Sequence, residues 1–231
     1  MKFQKLNFNF FKKKKVIIRG IQRSGTNFLE NLADRLNLKV INKGDIPRNS
    51  PQHKHFRVQN DKSSIFMDKQ YFNEIYVDNI KDLNFLVIKE KKLKNILIIK
   101  DPVNWILSIN RWAKKCGWIP KEKNLTEDFD LMSKYLKEWD NFHLKWSDLA
   151  KDKDQLLILQ WENLLTNFHD SLEKIGNFME LKSFNKNLNI SDFKNINLSE
   201  DSKIQDKEKI DIELSHKIYN LIKFNNFKKI Y

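Results

Sequence analysis

The chain has 231 residues, 40% of them hydrophobic, so it is long and apolar enough to bury a core, which excludes global disorder. Its 43 Lys and Arg against 30 Asp and Glu give a formal net charge of +13, which favours anionic partners such as phosphates, sulfates, acidic glycans or nucleic acid. The single cysteine, Cys116, excludes an intramolecular disulfide framework and a multi-cysteine zinc cluster, and a cytoplasmic location is the simplest expectation.

The sequence contains no segment that is predicted to cross a membrane. No apolar run reaches the roughly 18 to 20 residues that a spanning helix requires, and the mean hydropathy of -0.64 is typical of a soluble protein. The N-terminal stretch MKFQKLNFNFFKKKK has no continuous apolar region and no small-residue cleavage site. We therefore interpret it as a mature N-terminus.

Short apolar strands alternate with amphipathic helices along the chain. In the first half of the chain, the pattern predicts a strand at 16–19, a helix at 26–37, a short strand at 38–42, a helix at 71–82 and strands at 84–89 and 95–100. In the second half it predicts a helix from Pro102, a long helix at 126–149 capped by Thr126, a strand at 155–160 and a helix at 168–179. A polar loop or lid at 183–205 and a terminal helix at 207–223 complete the prediction. No internal repeat or interdomain linker is visible. The alternation therefore predicts a single α/β domain over residues 1–231.

The first strand leads into a glycine-containing turn, Gly20 to Gly25, and then into a helix. Such a loop presents backbone N–H groups and the positive end of the helix dipole to an anion. Against the nucleotide-triphosphate motif G-x-x-x-x-G-K-[ST], Thr26 stands where the lysine belongs, while Arg23 places a cation inside the loop. Taken alone, the loop is equally compatible with a plain turn between a strand and a helix.

A second junction between a strand and a helix lies at Lys100 to Pro102. Asp101 is the expected N-cap and Pro102 the first helical residue. Ser108 follows Lys100 by eight residues, about two helical turns into the next helix. Because open α/β sheets bind ligands at the carboxyl ends of their strands, we expect Lys100 and Ser108 to hold a second phosphate.

Together these motifs resemble those of the sulfotransferases that use 3′-phosphoadenosine 5′-phosphosulfate (PAPS). The 5′-phosphosulfate loop of that family corresponds to RSGTNF at 23–28, and its 3′-phosphate motif to KDPVNWILS at 100–108. A later strand ends in WENL at 161–164, and KHF at 54–56 is similar to a motif of compact bacterial-type members. The Gly-rich basic segment that eukaryotic cytosolic members carry late in the chain is not recognisable after Met179.

The resemblance implies an α/β fold of the P-loop NTPase-like, three-layer type, with a central, mostly parallel sheet flanked by helices. It implies transfer of the sulfuryl group from PAPS to a hydroxyl of a small-molecule or glycan acceptor, with release of 3′,5′-ADP and no metal ion. The residues implied to bind the cofactor are Arg23, Ser24, Gly25, Thr26, Asn27, Phe28, Lys100 and Ser108. Phe28 also fits the apolar stripe of its helix, which favours a core position.

Two residues are predicted to act in the reaction. Arg23 would stabilise charge on the bridging oxygen, as the resemblance implies. His55 is our choice of general base because histidine titrates near neutral pH and this one lies in a loop beside Lys54. An ordinary surface histidine is an equally good interpretation of His55, and His53 and Glu90 are the other candidates for the base.

Three other interpretations stay open at the level of sequence. A kinase-like P-loop enzyme is disfavoured by the missing lysine, and a nucleic-acid-binding protein by the lack of a recognised module, so no specific nucleic acid is expected. A binder with this fold but without catalysis is the third. The acceptor and the oligomeric state are not encoded in a readable motif, although the acceptor pocket is expected in the loops at 44–71, 116–124 and 183–205.

Overall fold

The computed structural model describes residues 13–58, 77–150, 154–193 and 211–224. Its strands are β1 (Lys15–Arg19), β2 (Lys39–Val40), β3 (Lys94–Ile99) and β4 (Leu156–Gln160). Its helices are α1 (Thr26–Arg35), α2 (Ile80–Ile88), α3 (Pro102–Lys115), α4 (Phe129–Leu149), α5 (Trp161–Thr166), α6 (Phe168–Phe178) and α7 (Ile212–Leu221), with a 3-10 turn at Ile190–Phe193.

The four strands form one parallel sheet in the order β2-β1-β3-β4. Ile18 of β1 lies opposite Ile96 of β3, and Leu97 of β3 lies opposite Ile158 of β4. The chain passes from β1 to β2 on one side and then crosses over to β3 on the other side. The carboxyl ends of β1 and β3 therefore flank the point where the strand order reverses, which is where open α/β sheets bind ligands.

Apolar side chains alternate between the two faces of the sheet, and helices cover both. Leu97 and Ile99 point into a core built with α2, α3, α4 and α7. Ile18, Ile96 and Ile98 point to the other side, into a core built with α1, α5 and α6. This layering confirms the predicted α/β fold with three layers and a central parallel sheet.

The prediction of a strand at 84–89 is wrong, because these residues lie in α2. The Asn79 side chain caps this helix by accepting a hydrogen bond from the Asp82 N–H at 2.9 Å. Ile80, Leu83 and Val87 are buried at helical spacing, while the intervening Phe85 and Leu86 are 46% and 49% exposed. A short apolar run cannot be assigned to strand or helix by its hydrophobicity alone, and here the capping residue decides. The helix predicted at 71–82 corresponds only to the start of α2, and residues 71–76 lie outside the described part.

The other predicted elements are present with small shifts in their bounds. The long helix begins at Phe129, and its N-cap is Asp128 instead of Thr126, because the Asp128 side chain accepts a hydrogen bond from the Leu131 N–H at 3.0 Å. The terminal helix spans Ile212–Leu221 and ends before the predicted residue 223, while residues 207–210 of the prediction lie outside the described part. Of the predicted loop at 183–205, residues 194–205 lie outside the described part. No helix among the described residues is long and apolar enough to span a bilayer.

Candidate active site

The loop between β1 and α1 is curled tightly by its own hydrogen bonds. The backbone N–H and the hydroxyl of Ser24 both donate to the Ile21 carbonyl, at 3.2 and 2.7 Å. The first hydrogen bond of the helix backbone runs from the Leu29 N–H to the Gly25 carbonyl. Since an α-helix leaves its first N–H groups without partners inside the helix, those of residues 26–28 face the same end of α1. They form a set of donors suited to an anion.

Both glycines of the loop are required by its shape. A side chain at Gly20 would collide with the Ser24 hydroxyl, which the curl of the loop brings against the Gly20 backbone. Gly25 has a φ of +102°, and a side chain there would collide with the Trp161 ring. Residues 20–25 therefore form a cradle of backbone, and its shape requires that neither glycine position carries a side chain.

Helix α3 fixes the loop from the side and joins the two predicted phosphate motifs. The Trp105 indole donates to the Gln22 carbonyl at 2.7 Å. Arg23 has a left-handed backbone, with a φ of 67°, and its Nε lies 3.4 Å from the Ser108 Oγ. Its guanidinium also lies over the Trp112 ring, 5.0 Å from the centroid. Residues 85 positions apart in the sequence are thus brought into contact at the predicted site.

Lys100 directly follows the last residue of β3 and is only 4% exposed. The Trp139 indole donates to its carbonyl at 3.1 Å, and its Nζ lies 5.9 Å from the centroid of the Trp161 ring. Burial, together with the charges of Arg23 and Arg111, lowers the pKa of Lys100 to about 8, although Glu162 opposes the shift. Burial and Arg111 likewise lower the pKa of Arg23. Three cations therefore share one region, which makes it attractive to a polyanion.

Two carboxylates, those of Asp101 and Glu162, hold the backbone that follows β3. Asp101 caps α3 by accepting from the Val103 N–H at 2.9 Å, and it accepts from the Tyr219 hydroxyl at 2.7 Å. Glu162 accepts from the Asp101 N–H at 3.2 Å and from the Asn104 side chain at 3.0 Å. These contacts give Glu162 a structural role and fix the position of Lys100.

The predicted base, His55, lies against the same loop. Its Nδ1 is 2.6 Å from the Gly20 carbonyl. Because a carbonyl can only accept, Nδ1 carries the proton and Nε2 keeps a lone pair. Burial is the main cause that lowers the pKa of His55 well below its usual value, so the ring stays neutral at physiological pH. His55 therefore has a fixed tautomer with a lone pair on Nε2, and the lowered pKa makes that nitrogen a weaker base than the one in an exposed histidine.

A comparison with protein families identifies the family to which this chain belongs. A family model described as the sulfotransferase domain matches residues 13–224. The chain belongs to the sulfotransferase domain family. No curated protein matches the chain significantly in sequence.

Among solved structures, this sulfotransferase-family chain is similar to the mouse sulfotransferase SULT7A1 complexed with PAP. The TM-score is 0.46 and the identity 17%, and the match covers 84% of this chain and 63% of the mouse chain. The sulfotransferase-family chain thus spans less than two thirds of the length of that protein.

The other predicted site residues lie in different surroundings from one another. Asn27 lies at the start of α1, where its side chain accepts from the Lys54 Nζ at 2.7 Å. The Phe28 ring is 3% exposed and packs edge-on against Trp161, so it is a core side chain and only its backbone N–H faces the loop. Glu90 pairs with Lys15 at 2.6 Å, at the amino end of the sheet and away from the loop.

His53, the second candidate for the base, is positioned differently from His55. Its Nδ1 accepts from the His55 N–H at 3.1 Å, which leaves its proton on Nε2. Burial, followed by the charges of Arg48 and Lys54, lowers its pKa to about 4. His53 is therefore a neutral donor in this arrangement, whereas His55 presents an acceptor.

Three residues near the candidate site were not singled out as site residues from the sequence. Trp161 packs beneath Gly25, and none of the described residues accepts from its buried Nε1–H. Arg111 follows Ser108 by one helical turn, a spacing that could have marked it. Arg57 is buried against Glu138, and the only sequence signal was its place directly after the KHF motif.

Proposed function

We propose that this protein is a PAPS-dependent sulfotransferase that acts on a hydroxyl group. The observation that carries the proposal is the contact of Arg23 with Ser108, which joins the loop after β1 to the helix after β3 beside the buried Lys100. Family membership supports sulfuryl transfer as the reaction. The site provides donors and cations for an anion with phosphate groups at two separate positions.

The residues present fit such a donor. The cradle formed by Gly20 and Gly25 and the N–H groups at the start of α1 would hold the 5′-phosphosulfate, with the hydroxyl-bearing Thr26 in the first turn. Lys100 and Ser108 would hold the 3′-phosphate. The bound PAPS supplies the sulfuryl group and the leaving phosphate. Arg23 would stabilise the negative charge on the leaving oxygen, because its side chain extends from the loop to Ser108 and carries a positive charge.

His55 would take the proton of the acceptor hydroxyl on Nε2. As the new bond between the acceptor oxygen and sulfur forms, the bond from sulfur to the 5′-phosphate oxygen breaks, and 3′,5′-ADP leaves. The hydrogen bond from Nδ1 to the Gly20 carbonyl orients the ring and stabilises the imidazolium that results. No metal ion is needed in this scheme, because the cations of the protein neutralise the leaving group.

The acceptor is proposed to be a small molecule or a glycan, whose hydroxyl would enter beside His55. The match over residues 13–224 supports the interpretation of the chain as one domain. A cytoplasmic location stays a prediction from cysteine content.

Transfer of label from radiolabelled PAPS to a panel of hydroxyl acceptors tests the proposal. We expect transfer by the wild-type protein and a loss of about a hundredfold or more in His55→Ala, since a positioned base contributes that much. His169→Ala, which changes an exposed histidine on α6, is the matched control and should retain activity. Wild-type activity in His55→Ala would exclude His55 as the general base. If the wild-type protein binds 3′,5′-ADP but transfers label to no acceptor, it is a binder without catalysis.

A further inference from the structure

The loop that carries His55 is attached to the end of β1 by an unbroken set of hydrogen bonds. Three successive carbonyl oxygens of this loop accept from three different donors: His53 from Arg19 Nη1 at 2.8 Å, Lys54 from the Gly20 N–H at 3.1 Å and His55 from Arg57 Nη1 at 2.9 Å. The His55 ring returns a bond to the Gly20 carbonyl at 2.6 Å. The backbone on either side of the imidazole is therefore fixed by guanidinium groups.

Arg57 is the donor in this set that reaches the residue of the base itself. Its side chain is 1% exposed, and that of its partner Glu138 on α4 is 2% exposed. Nε and Nη2 donate to Glu138 Oε1 at 2.9 and 2.6 Å, which leaves Nη1 directed to the His55 carbonyl. The guanidinium also stacks over Phe142, 5.0 Å from the ring centroid. The planar guanidinium is therefore held in place by α4 and donates a hydrogen bond to the loop that carries His55.

The same guanidinium reaches the loop at 20–25 between β1 and α1, the anion loop. Its Nη2 lies 3.5 Å from the side-chain oxygen of Gln22, and the carbonyl of Gln22 is the one held by Trp105. Arg57 therefore touches both of the segments whose relative position the reaction depends on. A buried ion pair costs desolvation and can often be replaced by apolar side chains of similar size without loss of stability. Stability alone does not account for a charged pair at this place.

We propose that Arg57, held by Glu138, is a positioning residue that holds the His55 backbone so that the imidazole meets the Gly20 carbonyl, the contact that fixes its tautomer. The inference rests on the proposed role of His55 as the base. It predicts that Arg57 influences the imidazole and the turnover rate, while the affinity for the nucleotide depends on Arg23 and Lys100. In the sequence, Arg57 directly follows the KHF motif and lies two residues after His55.

The test replaces the ion pair by apolar residues in the double variant Arg57→Met/Glu138→Leu. We expect it to fold, with a melting temperature near that of the wild type and an affinity for 3′,5′-ADP within about threefold. The ¹⁵N shifts of the His55 ring should move from the Nδ1–H tautomer towards a mixture, and turnover should fall by about tenfold or more. Arg35→Lys, an exposed arginine at the end of α1, is the control and should leave both readouts unchanged.

A folded double variant with wild-type His55 shifts and turnover would overturn the proposal. If the double variant does not fold, Arg57→Lys decides by the same readouts, because lysine keeps the charge beside Glu138 but lacks the fork that also reaches His55. Failure of both variants to fold would assign Arg57 to folding and would also overturn the proposal. A wild-type protein that neither binds 3′,5′-ADP nor transfers label would instead contradict the proposed function, and the His55 shifts report on Arg57 independently of that result.

Discussion

At the scale of single residues, the site depends on backbone shape as much as on side-chain chemistry. Gly25 turns the chain with a positive φ directly over Trp161, so that the start of α1 can face an anion. Arg23, with its own left-handed backbone, sends its side chain towards Ser108. These two positive-φ conformations, separated by Ser24, are energetically unfavourable for residues other than glycine and are typical of functional loops.

Gly25→Ala should be far more harmful than the same change at another glycine with positive φ. We expect the free energy of unfolding to fall by about 3 kcal/mol, from backbone strain plus the collision with Trp161, and 3′,5′-ADP binding to be lost. Gly44→Ala is the matched control, because its φ is +115° and nothing lies within 4 Å of the added methyl group. It should cost only about 1 to 2 kcal/mol in urea unfolding. Equal costs for the two variants would show that Trp161 does not constrain Gly25.

Lys100 should make nucleotide binding sensitive to alkaline pH. Its pKa is lowered to about 8, so the free protein loses this positive charge as pH rises through that value. A phosphate favours the protonated amine, and the association constant for 3′,5′-ADP should therefore decrease above about pH 8. In Lys100→Arg the charge persists and the decrease should disappear, whereas Lys92→Arg, an exposed control, should behave as the wild type. A decrease of the same size in Lys100→Arg would rule out Lys100 as its origin.

At the scale of elements, the site is assembled by helix starts at the carboxyl ends of neighbouring strands. Helix α1 follows β1 and presents its backbone donors, while α3 follows β3 and supplies Ser108 and the Trp105 contact to the loop. Helix α7 reaches the same place through Tyr219, whose hydroxyl donates to Asp101. The position of Lys100 thus depends on the capping of α3.

Asp101→Ala should destabilise the protein more than the loss of an exposed cap. Asp101 is buried and accepts from the Val103 N–H, the Asn104 N–H and the Tyr219 hydroxyl. We expect the free energy of unfolding to fall by about 2 kcal/mol or more, measured in urea. Asp211→Ala, which removes the exposed cap of α7, should cost about 1 kcal/mol or less. Equal losses of unfolding free energy in the two variants would contradict the interpretation that Asp101 links α3 to α7.

At the scale of the whole molecule, the sequence was informative where the structure is local. A strand, a glycine turn and a helix can be recognised from about fifteen residues, and both junctions lie where they were predicted. The parallel sheet then brings them together, because the carboxyl ends of its strands meet at one edge. The same rule placed Lys100 and Ser108 together from the sequence, whereas Arg23 was joined to them through the resemblance to the sulfotransferase motifs.

The features that escaped the sequence are those that depend on distant partners. Arg57 and Glu138 are 81 positions apart, and no local pattern links them. The burial that holds His55 neutral, and the packing of Trp161 under Gly25, likewise arise from tertiary contacts. The error at 84–89 has a different origin, because the Asn79 cap that marks the start of α2 is a local signal that the strand prediction overlooked.

The central claim is that the two junctions form one site for a nucleotide with phosphates at both the 3′ and 5′ positions. Isothermal titration with 3′,5′-ADP, with AMP as the comparison ligand, tests this most directly. We predict tight binding that prefers 3′,5′-ADP over AMP and is lost in both Arg23→Ala and Lys100→Ala, while Arg35→Ala binds as the wild type. Absence of binding, or equal binding of AMP, would contradict the account.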